Sequence, residues 1–478
     1  MTDTLIGRER ETQLLKKYVQ SGRPELIAIY GRRRVGKTFL VRHFFKDKVD
    51  FYVTGVIEGS RAEQMNAFTT ALRQYGYEGK SPETWIDAFI ALGELLRQKA
   101  AKKRGPMVVF IDELPCFSTL NSRFVKAFGY FWNSQASWID NMKLIICGSA
   151  TSWMIRNVMD NRGGLHNRVT HEIHLHPFKL RQCESFFQHY KFGWDRMSIL
   201  QIYMAVGGIP YYLKLLDKDK SVAENIDSLF FSKDATLKLE FRRLFYSLFS
   251  SPDIYLDIVR LLASKKKGLT RTEIAEKLKK QNNGHLGDTL RDLEYCDFIR
   301  SYSNRKKKQD AIYQLTDHFT FFYTEFVDKG ITDTHFWRNK MGTPTQNTWY
   351  GFAFERVCLS HIAEIKQTLH LDTIWCEYYA WRSRETTPAA QIDLLLDRAD
   401  GIITICEMKY SKTMYVVNKD EYNKMMNRIS AFVAETRCTK GVQMVMVTTV
   451  GLKKNMYSSE FSGKTVCLND LFSRLADY

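Results

Sequence analysis

Short unbroken apolar runs alternate along this chain with longer stretches whose apolar residues recur at helical spacing. Leu26 to Tyr30, Met107 to Ile111 and Lys143 to Thr151 read as strands. Continuous apolar runs of this kind fit parallel strands buried on both faces. From Val222 to Ser250 the pattern is helical. A helix, a Gly-containing turn and a second helix opening at Thr270 or Thr272 come next. A third helix follows, then a hairpin whose strands lie in "FIRSY" and "AIYQLT". The stretch "HFWRNKMGTPTQNTWY", with Gly342 and Pro344, is polar enough to read as a linker. Beyond it the pattern predicts a helix in "YGFAFERVCLSHIAEI" and strands in "TIWCEYYAWRS", "AAQIDLLLDR" and "IITICEMKYS". A further helix, the strand "GVQMVMVTTV" and a last helical segment close the chain.

At 478 residues the chain is too long for one core, and about 150 residues per domain suggests about three. Hydrophobic residues make up 44% and charged residues 26%, as in ordinary globular proteins. No apolar run reaches the roughly 20 residues that span a bilayer, and "MTDTLIGRERE" has no signal-peptide core. The expectation is a cytoplasmic protein with no membrane partner. The nine cysteines are scattered singly, which predicts reduced core residues and neither a disulfide framework nor a zinc site. A net charge of +17 favours polyanionic partners, because Lys and Arg release counterions from phosphates.

The first run leads into Gly31-x-x-x-x-Gly36-Lys37-Thr38 and then into helical periodicity. That is the P-loop signature in its strand–loop–helix setting. Backbone N–H groups wrap the phosphates of ATP, and the helix N-terminus adds a favourable dipole. The candidate nucleotide-binding residues are Gly31, Arg34, Val35, Gly36, Lys37, Thr38 and Phe39. Lys37 is placed to reach the β- and γ-phosphates, and the Thr38 hydroxyl to ligate Mg²⁺. The second run ends in Asp112 and Glu113: Asp112 would hold Mg²⁺, and Glu113 would orient or deprotonate the attacking water. The third ends in small polar residues, of which Ser149, with Thr151 second, is the candidate sensor of the γ-phosphate.

Taken in order, "LIGREREtQLLKKYV", the P-loop, "VVFIDELP", "IICGSA", "GLHNRV" and "VGGIPYYL" resemble the archaeal-type ATPase family. That family belongs to the AAA+/STAND branch of P-loop NTPases. The resemblance covers roughly the first 215 residues. It implies that Gly7, Arg8 and Glu9 lie near bound nucleotide, and that Arg168 contacts phosphate. Asn167 stands where the family usually has glycine before that arginine, and Arg162 is the alternative. Pro210, after Gly207 and Gly208, reads as a structural turn.

In the middle of the chain, three helices and a hairpin follow the winged helix order. The hairpin tip carries Arg305, Lys306, Lys307 and Lys308, candidate contacts to DNA. The competing reading is a packing module with a solvated hairpin.

Near the C-terminus, Gln391, Asp393, Leu395 and Asp397 are expected to share one strand face, as are Glu407 and Lys409 on the next strand. Two carboxylates on adjacent strands with a lysine beside them suit Mg²⁺, which keeps few protein ligands and lowers the pKa of a bound water. The order of elements resembles the restriction-endonuclease-like, PD-(D/E)xK, nucleases. The resemblance implies Asp393 and Glu407 as metal ligands, Lys409 as catalytic lysine and Glu355 as the acid of the first helix. Ile392 stands where the superfamily name has proline.

These readings predict an α/β chain: a P-loop NTPase parallel sheet (1–215), a helical lid (216–250), a winged helix (251–332) and a smaller α/β nuclease-like domain (345–478). The expected function is ATP binding and hydrolysis coupled to a DNA-binding, Mg²⁺-dependent nuclease-like domain, in a monomer or an oligomer. The alternative is an ATP-regulated DNA-binding or scaffold protein whose nuclease-like domain does not cut. A signalling hub would need a repeat-rich sensor region, and no repeat of 20–50 residues is present.

Overall fold

A computed structural model describes residues 4–265, 268–302, 311–383, 390–461 and 465–475. The chain divides into two compact units, Met1–Pro177 with Leu248–Ser250, and Phe178–Ser247 with Ser251–Tyr478.

The first unit is built on five strands, β1 (Glu25–Tyr30), β2 (Phe51–Thr54), β3 (Met107–Asp112), β4 (Met142–Gly148) and β5 (His171–His174). They form one parallel sheet in the order β2-β3-β4-β1-β5. The three apolar runs therefore lie side by side at its centre, where every residue of β3 and β4 is buried. Because the strands are parallel, the residues that follow β1, β3 and β4 emerge along a single edge. The expected third strand stops at Gly148, and Thr151 opens a short helix instead, Thr151–Met154. Helices Arg61–Gln74, Trp85–Ala100 and Phe124–Ser134 cover the sheet through an aromatic core of Phe68, Trp85, Phe89, Phe124 and Phe128.

The second unit opens with helices Leu180–His189 and Arg196–Val206. These helices, read with the first domain from sequence, group with the second unit in space. Gly208 is required where the chain turns after them. A Cβ there would lie 1.8 Å from the Phe178 carbonyl oxygen, and the Phe178 N–H donates to the Gly208 carbonyl at 2.7 Å. Helices Pro252–Ser264, Arg271–Leu278 and Gly284–Tyr295 follow. Thr270 starts the second of them, its hydroxyl accepting from Glu273 N–H while the Glu273 carboxylate reaches back to Thr270 N–H. Strands β6 (Leu269–Thr270), β7 (Ile299–Tyr302) and β8 (Ile312–Leu315) form an antiparallel sheet in the order β6-β8-β7.

The segment read as a linker is packed structure. Trp337 and Trp349 are almost fully buried, with ring centroids 5.3 Å apart, against Phe322 and Phe326. Thr343 caps the helix Pro344–Ser360, and buried Asp227, from an earlier element, accepts from Trp337 N–H at 2.8 Å. That helix packs on the last sheet, which comprises β9 (Cys376–Arg382), β10 (Gln391–Arg398), β11 (Ile402–Lys409), β12 (Gly441–Thr448) and β13 (Thr465–Val466). The order is β13-β12-β11-β10-β9, antiparallel from β9 to β11 and parallel from β11 to β13. The helix Lys419–Thr436 buries Met425 and Phe432 against Trp381, Leu395 and Ile405 of this sheet.

Candidate functional site

At the edge where β1 ends, Gly31 has φ +145° and its absent Cβ would meet the Leu175 carbonyl oxygen at 2.3 Å. Only glycine lets the loop leave the strand there. Arg34 follows in a left-handed conformation, Val35 is buried, and Gly36 caps the helix Lys37–Phe45. The Val35 carbonyl accepts from buried Arg8 Nη2 at 2.9 Å, which puts the opening Gly-Arg-Glu segment against the loop. Phe39 faces outward from the first helical turn.

Lys37 Nζ donates to the Gly31 carbonyl at 2.8 Å, to the Arg32 carbonyl at 3.0 Å and to Ser149 Oγ at 3.2 Å. Thr38 Oγ1 donates to Asp112 Oδ2 at 2.7 Å. Ser149 N–H donates to Glu113 Oε2 at 3.1 Å, and the Ser149 hydroxyl donates to Glu113 Oε1. Glu113 N–H donates to Asp112 Oδ1 at 3.0 Å. One network thus joins residues predicted from three separate apolar runs. Burial pushes the Asp112 carboxyl up from its ordinary value, and the Thr38 hydrogen bond works against that shift. A hydroxyl and a buried carboxylate in contact fit Mg²⁺, a hard cation that takes oxygen ligands. Thr151 is buried beside the network; its N–H donates to the Ser149 carbonyl at 3.0 Å, while its hydroxyl has no partner among the described residues.

Arg168 lies elsewhere. It is exposed and lines a cavity of about 460 Å³ with Arg23, Glu25, Trp132 and His171, at the start of β1. The P-loop leaves the far end of that strand, about 20 Å away at ~3.3 Å per residue. Arg168 therefore does not serve the P-loop of its own chain, because the turn that carries it leads back to the N-terminal edge of the sheet.

In the second unit, β10 and β11 pair with Leu395 opposite Ile405, and continuing that register sets Asp393 level with Glu407. The β10 register against β9 shifts between Ile392 and Leu395, so the irregularity falls at Asp393 and Leu394. It breaks the alternation from which Asp393, Leu395 and Asp397 were expected to share a face, and Asp397 instead pairs with Lys440 at 2.5 Å. Glu407 Oε1 lies 2.9 Å from Lys409 Nζ, and its Oε2 accepts from Arg428 Nη1 at 2.9 Å. Gln391 Nε2 donates to Asp393 Oδ1 at 2.6 Å. Burial and the neighbouring charges of Asp393 and Glu407 push the Glu355 carboxyl up to about 8. Asp393 and Glu407 thus both act on the Glu355 carboxyl, which places three acids in one neighbourhood.

Arg428, Arg300 and Arg356 were not singled out in the sequence. Arg428 sits mid-helix, Arg300 in a hairpin strand, and Arg356 beside Glu355 on a helix that reads as amphipathic; none carries a local signal. Arg305, Lys306, Lys307 and Lys308 lie outside the described residues. No helix among the described residues is long and apolar enough to cross a membrane.

Residues 5–216 match the family described as "ATPase domain predominantly from Archaea". An uncharacterized protein of Methanocaldococcus jannaschii, MJECL04, is 24% identical over 88% of this chain and 91% of its own length. Among solved structures, a Walker-type ATPase of Pyrococcus abyssi is 17% identical, with a TM-score of 0.47, over 67% of this chain and 96% of that one. The Aeropyrum pernix ORC2 protein, in complexes with ADPNP and ADP, is 13% identical, with a TM-score of 0.40, over 72% and 98%. The family match and the five-stranded parallel sheet make residues 5–216 an archaeal-type ATPase domain with a P-loop fold.

Proposed function

We propose that this protein binds and hydrolyses ATP at Gly31–Thr38, and that it couples this activity to a DNA-binding second unit with a nuclease-like site. The observation that carries the first part is the continuous network Thr38–Asp112–Glu113–Ser149–Lys37. Lys37 holds the β- and γ-phosphates, and loop N–H groups from Gly31 to Thr38 surround them. Glu113, fixed by Ser149, orients the attacking water and takes its proton, while Ser149 reports the γ-phosphate to Glu113. Thr38 and Asp112 would hold Mg²⁺, which when bound neutralises charge on the phosphate oxygens.

In the second unit, helices Pro252–Ser264, Arg271–Leu278 and Gly284–Tyr295 with the β7–β8 hairpin are read as a winged helix. Arg305, Lys306, Lys307 and Lys308 are its candidate contacts to DNA. Asp393 and Glu407 would hold a divalent cation, which lowers the pKa of a bound water. Glu355 adds a third carboxyl, and Lys409 orients the nucleophile against the scissile phosphate. The helix Arg196–Val206 touches this region where Gln201 Nε2 donates to Tyr410 Oη at 3.3 Å, one residue from Lys409. Oligomerisation and a cytoplasmic location are consistent with this reading.

The second reading is an ATP-regulated DNA-binding protein whose nuclease-like site does not cut. It is favoured by the engagement of both Glu407 oxygens by cations. Incubation of the protein with Mg²⁺ or Mn²⁺ and supercoiled DNA, with and without ATP, separates the two. The expected result is cleavage lost in Lys409→Ala, with ATP turnover lost in Lys37→Ala. DNA left intact by the wild type, but bound by it, selects the second reading.

A further inference from the structure

Arg356, next to Glu355, is almost fully buried and donates Nε to the Leu315 carbonyl of β8 at 3.1 Å. Its guanidinium lies 3.8 Å from the centre of the Phe321 ring. On the other flank, Arg382 of β9 is paired in register with Gln391, and it forms an ion pair with Glu273 at 3.6 Å. The three-helix-and-hairpin segment is therefore tied to the acidic cluster on both sides. Between the ties, Leu315 pairs with Ile299, and the next pair is Gln314 with Arg300.

Arg300 is half-buried. Its Nε and Nη2 both donate to the oxygen of buried Gln314, at 3.2 and 2.5 Å, and its guanidinium lies over the Tyr302 ring at 5.4 Å. Among the described residues it pairs with no carboxylate. Burial lowers its proton affinity, and the charges of Tyr302 and Asp393 work against that shift. The other cations of the cluster are differently engaged. Lys409 and Arg428 are paired with Glu407, and Arg356 donates Nε and Nη1 to the Leu315 and Phe352 carbonyls, its remaining Nη2 being buried. A guanidinium held in orientation by a neutral amide, partly withdrawn from water and unpaired with acid, keeps donors in the planar fork that matches a phosphate.

We propose that Arg300 holds a backbone phosphate of duplex DNA beside Asp393 and Glu407, so that the hairpin sheet contributes to the C-terminal site. Arg356 acts as a positioning residue that sets β8, and through it β7, against the helix of Glu355. This rests on the reading of Asp393, Glu407 and Lys409 as a phosphodiester site.

The test is titration of full-length protein into a labelled DNA duplex by fluorescence anisotropy, with Ca²⁺ in place of Mg²⁺, across a salt series. Wild type, Arg300→Ala, Arg300→Lys, Arg300→Gln and Lys409→Ala are compared. Arg300→Ala is expected to weaken binding about tenfold and to lower the salt slope by about one. Arg300→Lys keeps the slope but not the full affinity, and Lys409→Ala, which removes a second cation from the same site, lowers affinity and slope as well. Arg300→Gln preserves much of the side chain's volume, and thermal unfolding separates lost contact from lost fold. Wild-type affinity and slope in Arg300→Ala and Arg300→Gln would overturn the proposal. Binding that depends on Arg300, in a protein that cuts no DNA with Mg²⁺ or Mn²⁺, upholds the contact and removes the nuclease reading. A wild type that binds no duplex overturns both.

Discussion

Glu113 holds a left-handed backbone conformation, φ +46°, at the first position after a fully buried strand. A non-glycine residue kept there costs of order 1 kcal/mol, a cost borne when surrounding contacts over-determine it. Those contacts are two hydrogen bonds from Ser149, and they turn the carboxylate toward Lys37. Glu113→Gln keeps the size of the side chain and removes the carboxylate proposed to act as base. Its expected effect is a loss of ATP turnover of about 100-fold or more with nucleotide binding retained, checked by steady-state hydrolysis beside nucleotide titration.

His361, fully buried, is held as a neutral ring. Nδ1 donates to the Val357 carbonyl at 2.8 Å, and Nε2 accepts from Leu180 N–H at 3.2 Å. Burial drives its pKa down to about 4, and that of His318 to about 3. Glu364 pulls the His361 value upward and Lys179 downward, a smaller contribution than burial. The unfolded chain binds these protons near pH 6.5 and the folded chain does not, so stability is fully present above about 6.5 and falls as pH drops toward 4. Each ring contributes about 1.4 kcal/mol per pH unit inside that window. Chemical denaturation between pH 7 and pH 5 checks this, and His361→Gln is expected to flatten the dependence.

At the scale of elements, the second unit depends on aromatic packing that its sequence disguises as a linker. Trp349 meets Phe321, Phe322, Phe326 and Trp337. Truncating such a side chain removes transfer energy and leaves a cavity, so Trp349→Ala is expected to cost about 3–5 kcal/mol. Intrinsic tryptophan fluorescence during denaturation measures it, with ATP binding unchanged before the transition. Element type was largely legible, since each strand run and helix period lies within a few neighbouring residues. Two features escaped. The register shift at Asp393 and Leu394 depends on the partner strand β9, and the Trp337 backbone is held by Asp227, more than a hundred positions away.

Over the whole molecule, a net charge of +17 acts through the field it creates and not through any one contact. Binding to duplex DNA is therefore expected to fall steeply with salt, linearly in log–log form, for any sequence. Affinity that ignored salt between low and physiological concentration would contradict a phosphate-dominated interface.

The sequence by itself determined the nucleotide site, because its parts are contiguous motifs at the ends of apolar runs. Parallel pairing of β1, β3 and β4 then carries those ends to one edge of a sheet. It determined too that Asp393, Glu407 and Lys409 lie near one another, since a two-strand turn joins them. Tertiary structure alone decided that Arg168 sits at the opposite edge from the P-loop. It alone brought Arg428 onto Glu407 and placed Arg300 in the field of Asp393. A guanidinium reaches its partner across space on an element folded from elsewhere in the chain, and nothing in the residues beside it records where that element will pack.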